Sequence, residues 1–476
     1  IIFLVVFMNY VTLVNKENLI KDKYLKNLEL VDYKTSFDGI VKLEKITLEA
    51  YLKLKNELEK NGIYIEIASA YRSIEEQQEI ITEFENQYGK DYAAKYIAPV
   101  GYSEHHTGLA LDLCINKDGK LLIRNEDLFA NNHIFLEIHK YLHKFGFILR
   151  YPKDKKKVTG YDYEPWHIRY AGNVPAKIIY EQNLSLEEYL TSFSGVLLVN
   201  KEKDMTSRDV VNEVSRILGI KKIGHTGTLD PMAEGVLVLT IGRATKLGEL
   251  LTAYEKEYIA GVKVGVKTDT LDITGNILEE KQIDEKIDYE DLLKKFPKKY
   301  NQEVPIYSAV KVNGKKLYEY ARKNENVDLP KKEVIIKKIE LLEENKEIFK
   351  FKCLVSKGTY IRSLIRDLGN QIDKNFTMLS LVRTKQGDFT INNAYTLKEI
   401  KDNKFKILSI NEVLNCYPVI KVDNKLKKKI INGCKINNDY NIENMVLFKD
   451  KNDNLIAIYK KEGSNLKIFK MINNTL

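Results

Sequence analysis

The chain has 476 residues, 44% of them hydrophobic and 30% charged, which is material for about three folded domains. No stretch reaches the roughly 18 apolar residues of a transmembrane helix, so no membrane association is expected. The net charge of +9 divides unevenly, with 25 Lys and Arg against 28 Asp and Glu up to Ser192, and 51 against 39 beyond it. The second part thus carries the electrostatic footprint of a nucleic-acid binder, whereas six of the seven histidines lie in the first.

The opening IIFLVVF is too short to span a bilayer and lacks the basic region and cleavage site of a secretory signal. Met8 follows it, so residues 1 to 7 are expected to be upstream sequence read in error, the remnant of an anchor being the less favoured alternative. Cys114, Cys353, Cys416 and Cys434 are scattered without a C-x-x-C, which argues against a disulfide framework or thiolate zinc site and makes a reducing compartment the default.

Three stretches of the first part carry chemistry. ASAYRSIEEQ (68–77) reads as a short strand, a turn at Tyr71-Arg72-Ser73 and a helix start. GYSEHHTGLALDL (101–113) runs from a polar loop into a period-2 strand, with Leu109, Leu111 and Leu113 on one face and Gly108, Ala110 and Asp112 on the other. EPWHIRY (164–170) places a glutamate three residues before a histidine. A small face ending in a carboxylate leaves room for an ion, and two imidazoles with one carboxylate make a zinc site open to water. Spacing does not choose between His105 and His106. Glu164 suits the role of a base that takes a proton from the attacking water, and Arg72 that of a positive charge for the developing oxyanion. His139 and His143 stand at i,i+4 in FLEIHKYLHKFGF without the glutamate of H-E-x-x-H, and read with His133 as structural.

The motifs S-x-H-x-x-G-x-A-x-D, S-x-Y-R-S and E-P-W-H resemble the VanY and VanX type zinc D-alanyl-D-alanine carboxypeptidases and dipeptidases over roughly residues 10–190. The resemblance implies zinc held by His105, Asp112 and His167, Glu164 as base and Arg72 at the transition state. It further implies a small α+β fold with the site on an antiparallel sheet, and a D-Ala-terminated muropeptide or peptidoglycan precursor as substrate.

EEYLTSFSGVLLVNK (187–201) then reads as a helix ending and a protein starting afresh, with no Gly/Ser/Pro-rich linker between. Val210, Val211, Val214, Ile217 and Leu218 have helical spacing, followed by a glycine-bearing loop with Asp230 and the buried strand GVLVLTIG. Taken alone, Asp230-Pro231 is a better helix N-cap signal than a catalytic one. In SKGTYIRSLIRDLG (356–369) Ile361, Leu364, Ile365 and Leu368 form a core stripe, with Arg362 and Arg366 at its polar border. KKLYEYARK interleaves aromatics with basic residues, as a base-stacking surface does, or forms a solvated amphipathic helix.

G-H-T-G-x-L-D-P, K-x-Y, T-D-T-x-D, Y-S-A-V-K and S-K-G-T-Y-I-R-S-L-x-x-D-L-G are similar throughout to the TruB family of tRNA pseudouridine synthases, over about residues 193–470. The resemblance implies isomerisation of the T-loop uridine of tRNA without metal or cofactor. It makes Asp230 the catalytic carboxylate, Arg362 its partner, Tyr258 the residue that stacks on uracil and helps remove the carbon-5 proton, and His225 the occupant of the flipped nucleotide's gap. Glu202 and Asp204 replace a proline and a glycine usual in the family, which puts the local turn in question because Asp tolerates positive φ less well than Gly. The tail from about residue 416 alternates like a small β barrel and resembles the PUA-like end of these synthases. There Lys425, Lys427, Lys428 and Lys429 are expected at the tRNA acceptor stem, a solvated lysine face being the equal alternative.

The expected architecture is a multidomain α+β chain: a small zinc-peptidase α+β domain (8–192), a mixed α/β pseudouridine synthase domain (193–415) and a small PUA-like β domain (416–476). The alternatives are an inactive muropeptide-binding module on a tRNA chaperone, and two proteins joined by an artefact of the gene model.

Overall fold

A computed structural model of the chain describes residues 9–91, 97–283 and 285–473; Met8 and residues 1 to 7 lie outside the described residues. Two compact units emerge, one built on residues up to Phe193 with Ser215–Lys221 and Lys401–Asn403, the other on the remainder. Among the described residues, no helix is long and apolar enough to cross a membrane.

The first unit is an antiparallel sheet in the order Tyr64–Ser69, Ala110–Lys117, His167–Tyr170, Phe147–Leu149, with Lys120–Leu122 folded back on the second strand. Leu109, Leu111, Leu113 and Ile115 point into a core shared with Tyr51, Leu54 and Leu58 of the helix Lys45–Lys60 and with Phe135, Ile138 and Leu142 of the helix Asn132–Leu142. Each such side chain contributes about 1.5–3 kcal/mol on burial. A one-residue slip would turn all of them outward, so the register is strongly specified, and it is this register that turns Asp112 to the opposite face. The strand begins at Ala110 rather than at Gly108, because Gly108 caps the preceding 3-10 turn Glu104–Thr107 at φ +69°.

Ser73 starts the helix Ile74–Tyr88 through a capping box, its hydroxyl accepting from Glu76 N while the Glu76 carboxylate accepts from Ser73 N. His139 Nε2 lies 2.9 Å from Pro165 O, a structural contact, whereas His133 is exposed rather than a core residue.

The second unit opens with the strand Gly195–Lys201 and contains a nine-stranded sheet. Its main path runs Lys299–Glu303, Lys331–Glu344, Ile348–Val355, Lys256–Val264, Phe376–Gln386, Glu234–Ile241, Gly195–Lys201, with Ile223–His225 added on Glu234–Ile241. Glu234–Ile241 meets Phe376–Gln386 in parallel, at Glu234 opposite Val382 and Gly235 opposite Arg383. Only glycine fits there: Gly235 has φ +104°, and a Cβ would lie 2.3 Å from Arg383 O.

Three readings of this unit are corrected. Asp230-Pro231 starts no helix; a turn closed by Ala233 N donating to Asp230 O leads directly into a strand, whose central-sheet pairing outweighs the local capping preference. Arg362 lies inside the core, 5% exposed, instead of at the border, because Asp230 and two backbone carbonyls receive its guanidinium. KKLYEYARK forms the end of a two-residue hairpin and the short helix Leu317–Arg322, a form that contradicts neither of its two readings. Lys425, Lys427, Lys428 and Lys429 stand on the helix Asn424–Ile431, started by the Asp423 cap, and not on a barrel strand. The strands of this last region form a five-stranded sheet in the order Val419–Lys421, Met445–Lys449, Leu455–Glu462, Asn465–Met471, Ile436–Asn437. It has its own apolar cluster and also shares one with Val196 and Val236 of the larger sheet and with Leu250 of the short helix Gly248–Thr252.

Candidate active sites

In the first unit, cross-strand pairing sets His167 directly opposite Asp112, and the 3-10 turn before the Asp112 strand carries His105 onto the same face. One ligand atom from each of His105, Asp112 and His167 lies within 4.8 Å of the others. His105 Nε2 is 3.2 Å from Asp112 Oδ2, and His167 Nδ1 is 2.8 Å from Asp112 Oδ1. His105 Nδ1 is held by Ala70 O at 2.5 Å, leaving Nε2 for the cluster. His106 is excluded from it, because Nδ1 faces Arg72 O at 2.7 Å and Nε2 accepts from Gly101 N at 3.2 Å.

The donor set fits zinc: two imidazole nitrogens and one carboxylate converge, each imidazole anchored or faced by a buried acceptor on its other side. Burial works against an imidazolium at His167, yet the adjacent Asp112 carboxylate outweighs it and raises the pKa to about 10. The protein groups thus call for a positive charge at this point. Glu164 Oε2 lies 3.9 Å from His167 Nδ1, and burial pushes its carboxyl up to about 7, within reach of proton transfer near neutrality. Arg72 donates to Gln77 Oε1 at 2.8 Å, and burial lowers its pKa against the opposing charge of Asp112.

Sequence reasoning passed over what lies beneath this site. Arg150 and Arg169, both 0% exposed, bind Glu104, and Arg150 also binds Glu187 at 2.6 Å. Burial opposes ionisation of Glu104, but the two guanidiniums outweigh it and hold its carboxyl far below the usual range.

In the second unit Asp230 sits on the loop between Ile223–His225 and Glu234–Ile241. Arg362 grips it in a fork, Nε to Oδ2 at 2.9 Å and Nη2 to Oδ1 at 3.0 Å. The same guanidinium donates to Thr270 O and Tyr307 O, at 3.1 and 3.0 Å, so it cannot follow the carboxylate if that moves. Tyr258 is 8% exposed and pairs across the sheet with Arg383; burial raises its pKa, with Arg383 opposing. His225 is half-buried, and burial first, then Arg383 and Arg208, lower its pKa. Lys425 and Lys428 are exposed on their helix.

The Asp230 loop is clamped from three separate segments. Ser207 Oγ accepts from Leu229 N at 2.9 Å and donates to Leu229 O. Arg383 Nη2 donates to Gly227 O at 3.1 Å, and Gln386 Nε2 to Thr226 O at 3.0 Å. Lys201 Nζ and Asp204 N both donate to Pro231 O, at 3.0 and 2.9 Å. Asp204 takes φ +65°, so the turn keeps the left-handed backbone that glycine would favour despite the substitution.

Known proteins align with both units. Residues 215–361 match the TruB family pseudouridylate synthase N-terminal domain. The tRNA pseudouridine synthase B of Caldanaerobacter subterraneus subsp. tengcongensis is 42% identical over 284 residues, covering 58% of this chain and 98% of that protein. The chain belongs to the TruB family of pseudouridine synthases. The tRNA pseudouridine synthase B of Bacillus pumilus is likewise 42% identical, over 254 residues, 50% of this chain and 82% of that protein. Ahead of its TruB unit the chain carries a VanY D-alanyl-D-alanine carboxypeptidase domain, matched at residues 40–173. A solved zinc complex of a VanY D,D-pentapeptidase variant from a VanB-type vancomycin resistance cassette is 35% identical, covering 38% of this chain and 98% of that one, with a TM-score of 0.32. Of the residues that hold the TruB loop, Ser207 and Gln386 had a sequence signal only in their neighbourhood, within TSRD and VRTKQ.

Proposed function

We propose that the chain is a bifunctional enzyme: a synthase that isomerises the T-loop uridine of tRNA, and a zinc carboxypeptidase acting on D-alanine-terminated wall peptides or their precursors. The observation that carries the synthase reading is the fork between Arg362 and Asp230 at the tip of a clamped loop. Arg362 holds the carboxylate aimed; Asp230 attacks the flipped nucleotide or takes a ribose proton; Tyr258 stacks on the uracil and assists loss of the carbon-5 proton. His225 fills the place the base leaves, and the lysines on Asn424–Ile431 meet the acceptor stem. Because the isomerisation is redox-neutral and intramolecular, the residues need no cofactor.

The convergence of His105, Asp112 and His167 beside Glu164 carries the peptidase reading. When bound there, zinc supplies a Lewis acid that polarises the scissile carbonyl and activates water. Glu164 takes the proton of the attacking water and passes it to the leaving amine, while Arg72 offsets negative charge on the carbonyl oxygen. Because Glu164 and Asp230 are both in place, a pair of catalysts is favoured over a pair of binding modules. Both activities belong in the cytoplasm, where tRNA is modified.

Metal analysis and alanine release test the peptidase. His105→Ala, Asp112→Ala and His167→Ala are each expected to lose the zinc, whereas Glu164→Ala keeps it and releases no D-alanine. Full zinc in all three ligand variants would remove the site. For the synthase, pseudouridine in a tRNA transcript is measured with Asp230→Asn; turnover by that variant would take Asp230 out of its role.

A further inference from the structure

Beneath the histidine cluster, Glu104 and His167 face each other in an unfinished contact. Glu104 Oε1 accepts from Arg150 Nε at 2.7 Å and from Arg169 Nη1 at 2.9 Å. Its second oxygen, Oε2, lies 3.5 Å from His167 Nε2, and neither atom has another hydrogen-bond partner among the described residues. Both are buried, and leaving two such atoms unsatisfied is costly. A proton on Nε2 and a shift of a few tenths of an ångström satisfy both.

The carboxylate is not free to turn away. Arg150 is fixed by Glu187 through Nη1 at 3.0 Å and Nη2 at 2.6 Å. Arg169 is fixed by Tyr10 O and Thr12 O at 3.2 and 2.9 Å. With Oε1 held by two anchored guanidiniums, Oε2 has one direction left. Tyr151 lies against the His167 ring at 4.8 Å between centroids, which limits rotation of the imidazole as well. A neutral imidazole carries its proton on one nitrogen only, so a proton kept on Nε2 leaves the Nδ1 lone pair facing Asp112 and His105. His105 is set by the same logic in reverse, with Ala70 O at its Nδ1 and Nε2 toward the cluster.

We propose that Glu104 is a positioning residue: it keeps the proton of His167 on Nε2 and so presents the Nδ1 lone pair to the metal shared with His105 and Asp112. The proposal rests on the zinc-site reading above. A carboxylate in this place also makes the imidazole a stronger donor than a carbonyl does.

The test uses the full chain, zinc and 15N-labelled histidine, whose seven side chains give a tractable spectrum. In the zinc-loaded unaltered protein, long-range proton–nitrogen correlations of His167 are expected to show Nε2 protonated and Nδ1 metal-bound. Glu104→Gln keeps the volume, but its amide N–H₂ aimed at Nε2 favours the opposite tautomer. Chelator competition is expected to show zinc bound about 10–100-fold more weakly by that variant. Glu187→Gln disturbs the same buried network while leaving the Glu104 carboxylate intact, and is expected to hold zinc within about twofold of the unaltered chain, as a merely structural role for Glu104 would not separate the two. Zinc on His167 Nε2 overturns the proposal without any variant, should Glu104→Gln fail to fold. Affinity within about twofold in Glu104→Gln overturns it equally. If the unaltered chain takes up no zinc, the zinc-site reading falls and this inference with it; loss of alanine release alone touches neither readout.

Discussion

Asp230 owes its direction to one guanidinium that is itself fixed by two carbonyls, and this separates binding from chemistry. Asp230→Asn is expected to bind tRNA as the unaltered chain does and to lose turnover by on the order of 10⁴-fold or more, read by pseudouridine formation against a filter-binding assay. Arg362→Lys retains the charge but offers no planar fork, so turnover is expected to fall by about 10²-fold with tRNA binding little changed. Asp204 provides a test of another kind. Its φ of +65° is strained for a residue with a Cβ, while the turn it makes holds Pro231 O beside Asp230. Asp204→Gly is expected to stabilise the synthase unit by about 0.5–1 kcal/mol in thermal or urea unfolding, since the left-handed conformation is then unstrained.

The helix Leu186–Ser192 is short, with its own capping box from Ser185 to Glu188, and it matters through one side chain. Glu187 supplies the counter-charge for the Arg150 fork in an interior where that arginine is 0% exposed. Glu187→Ala leaves half of the guanidinium without an acceptor, and removing one partner of a buried pair costs about 3–5 kcal/mol. The first unit is expected to melt roughly 6–12 °C lower, from a loss near the bottom of that range, in a calorimetric scan. A fragment ending at Ser185 is expected to behave alike, because it lacks the same carboxylate.

Each unit has an apolar cluster drawn from its own side of the restart, Val14 to Tyr170 in the first and Val196 to Ile472 in the second. Domains with cores of their own fold as units. Fragments 8–192 and 193–476 are therefore expected to fold when expressed separately, with zinc and alanine release confined to the first and pseudouridine formation to the second. Insolubility of either alone, rescued by mixing, would show one integrated core instead. The second fragment, with 51 basic against 39 acidic residues, is expected to bind tRNA as well as the intact chain does. That affinity should fall steeply as salt rises from about 50 to 200 mM, since counterion release drives such binding.

Local chemistry was readable in the chain because it is written in short stretches. The alternation of GLALDL set which residues face the core, the Ser73 and Glu76 pair set where a helix starts, and the spacing of His105 to Asp112 and Glu164 to His167 lies within one turn and strand. Spacing alone left His105 and His106 equivalent; the hydrogen bonds of His106, to Arg72 O and from Gly101 N, are set by the tertiary fold and distinguish them. Arg150, Arg169, Ser207, Arg383 and Gln386 gave no signal of their roles, since each acts on a partner tens of residues or more away. The same distance explains why Asp230-Pro231 reads locally as a helix cap and folds as a loop, and why Arg362 reads as a border residue and is buried. Propensity and periodicity are properties of a few consecutive residues and act before the chain is folded. Whether a buried charge finds its counter-charge depends on which strands pair and in what register, and that is settled only when the whole sheet has closed.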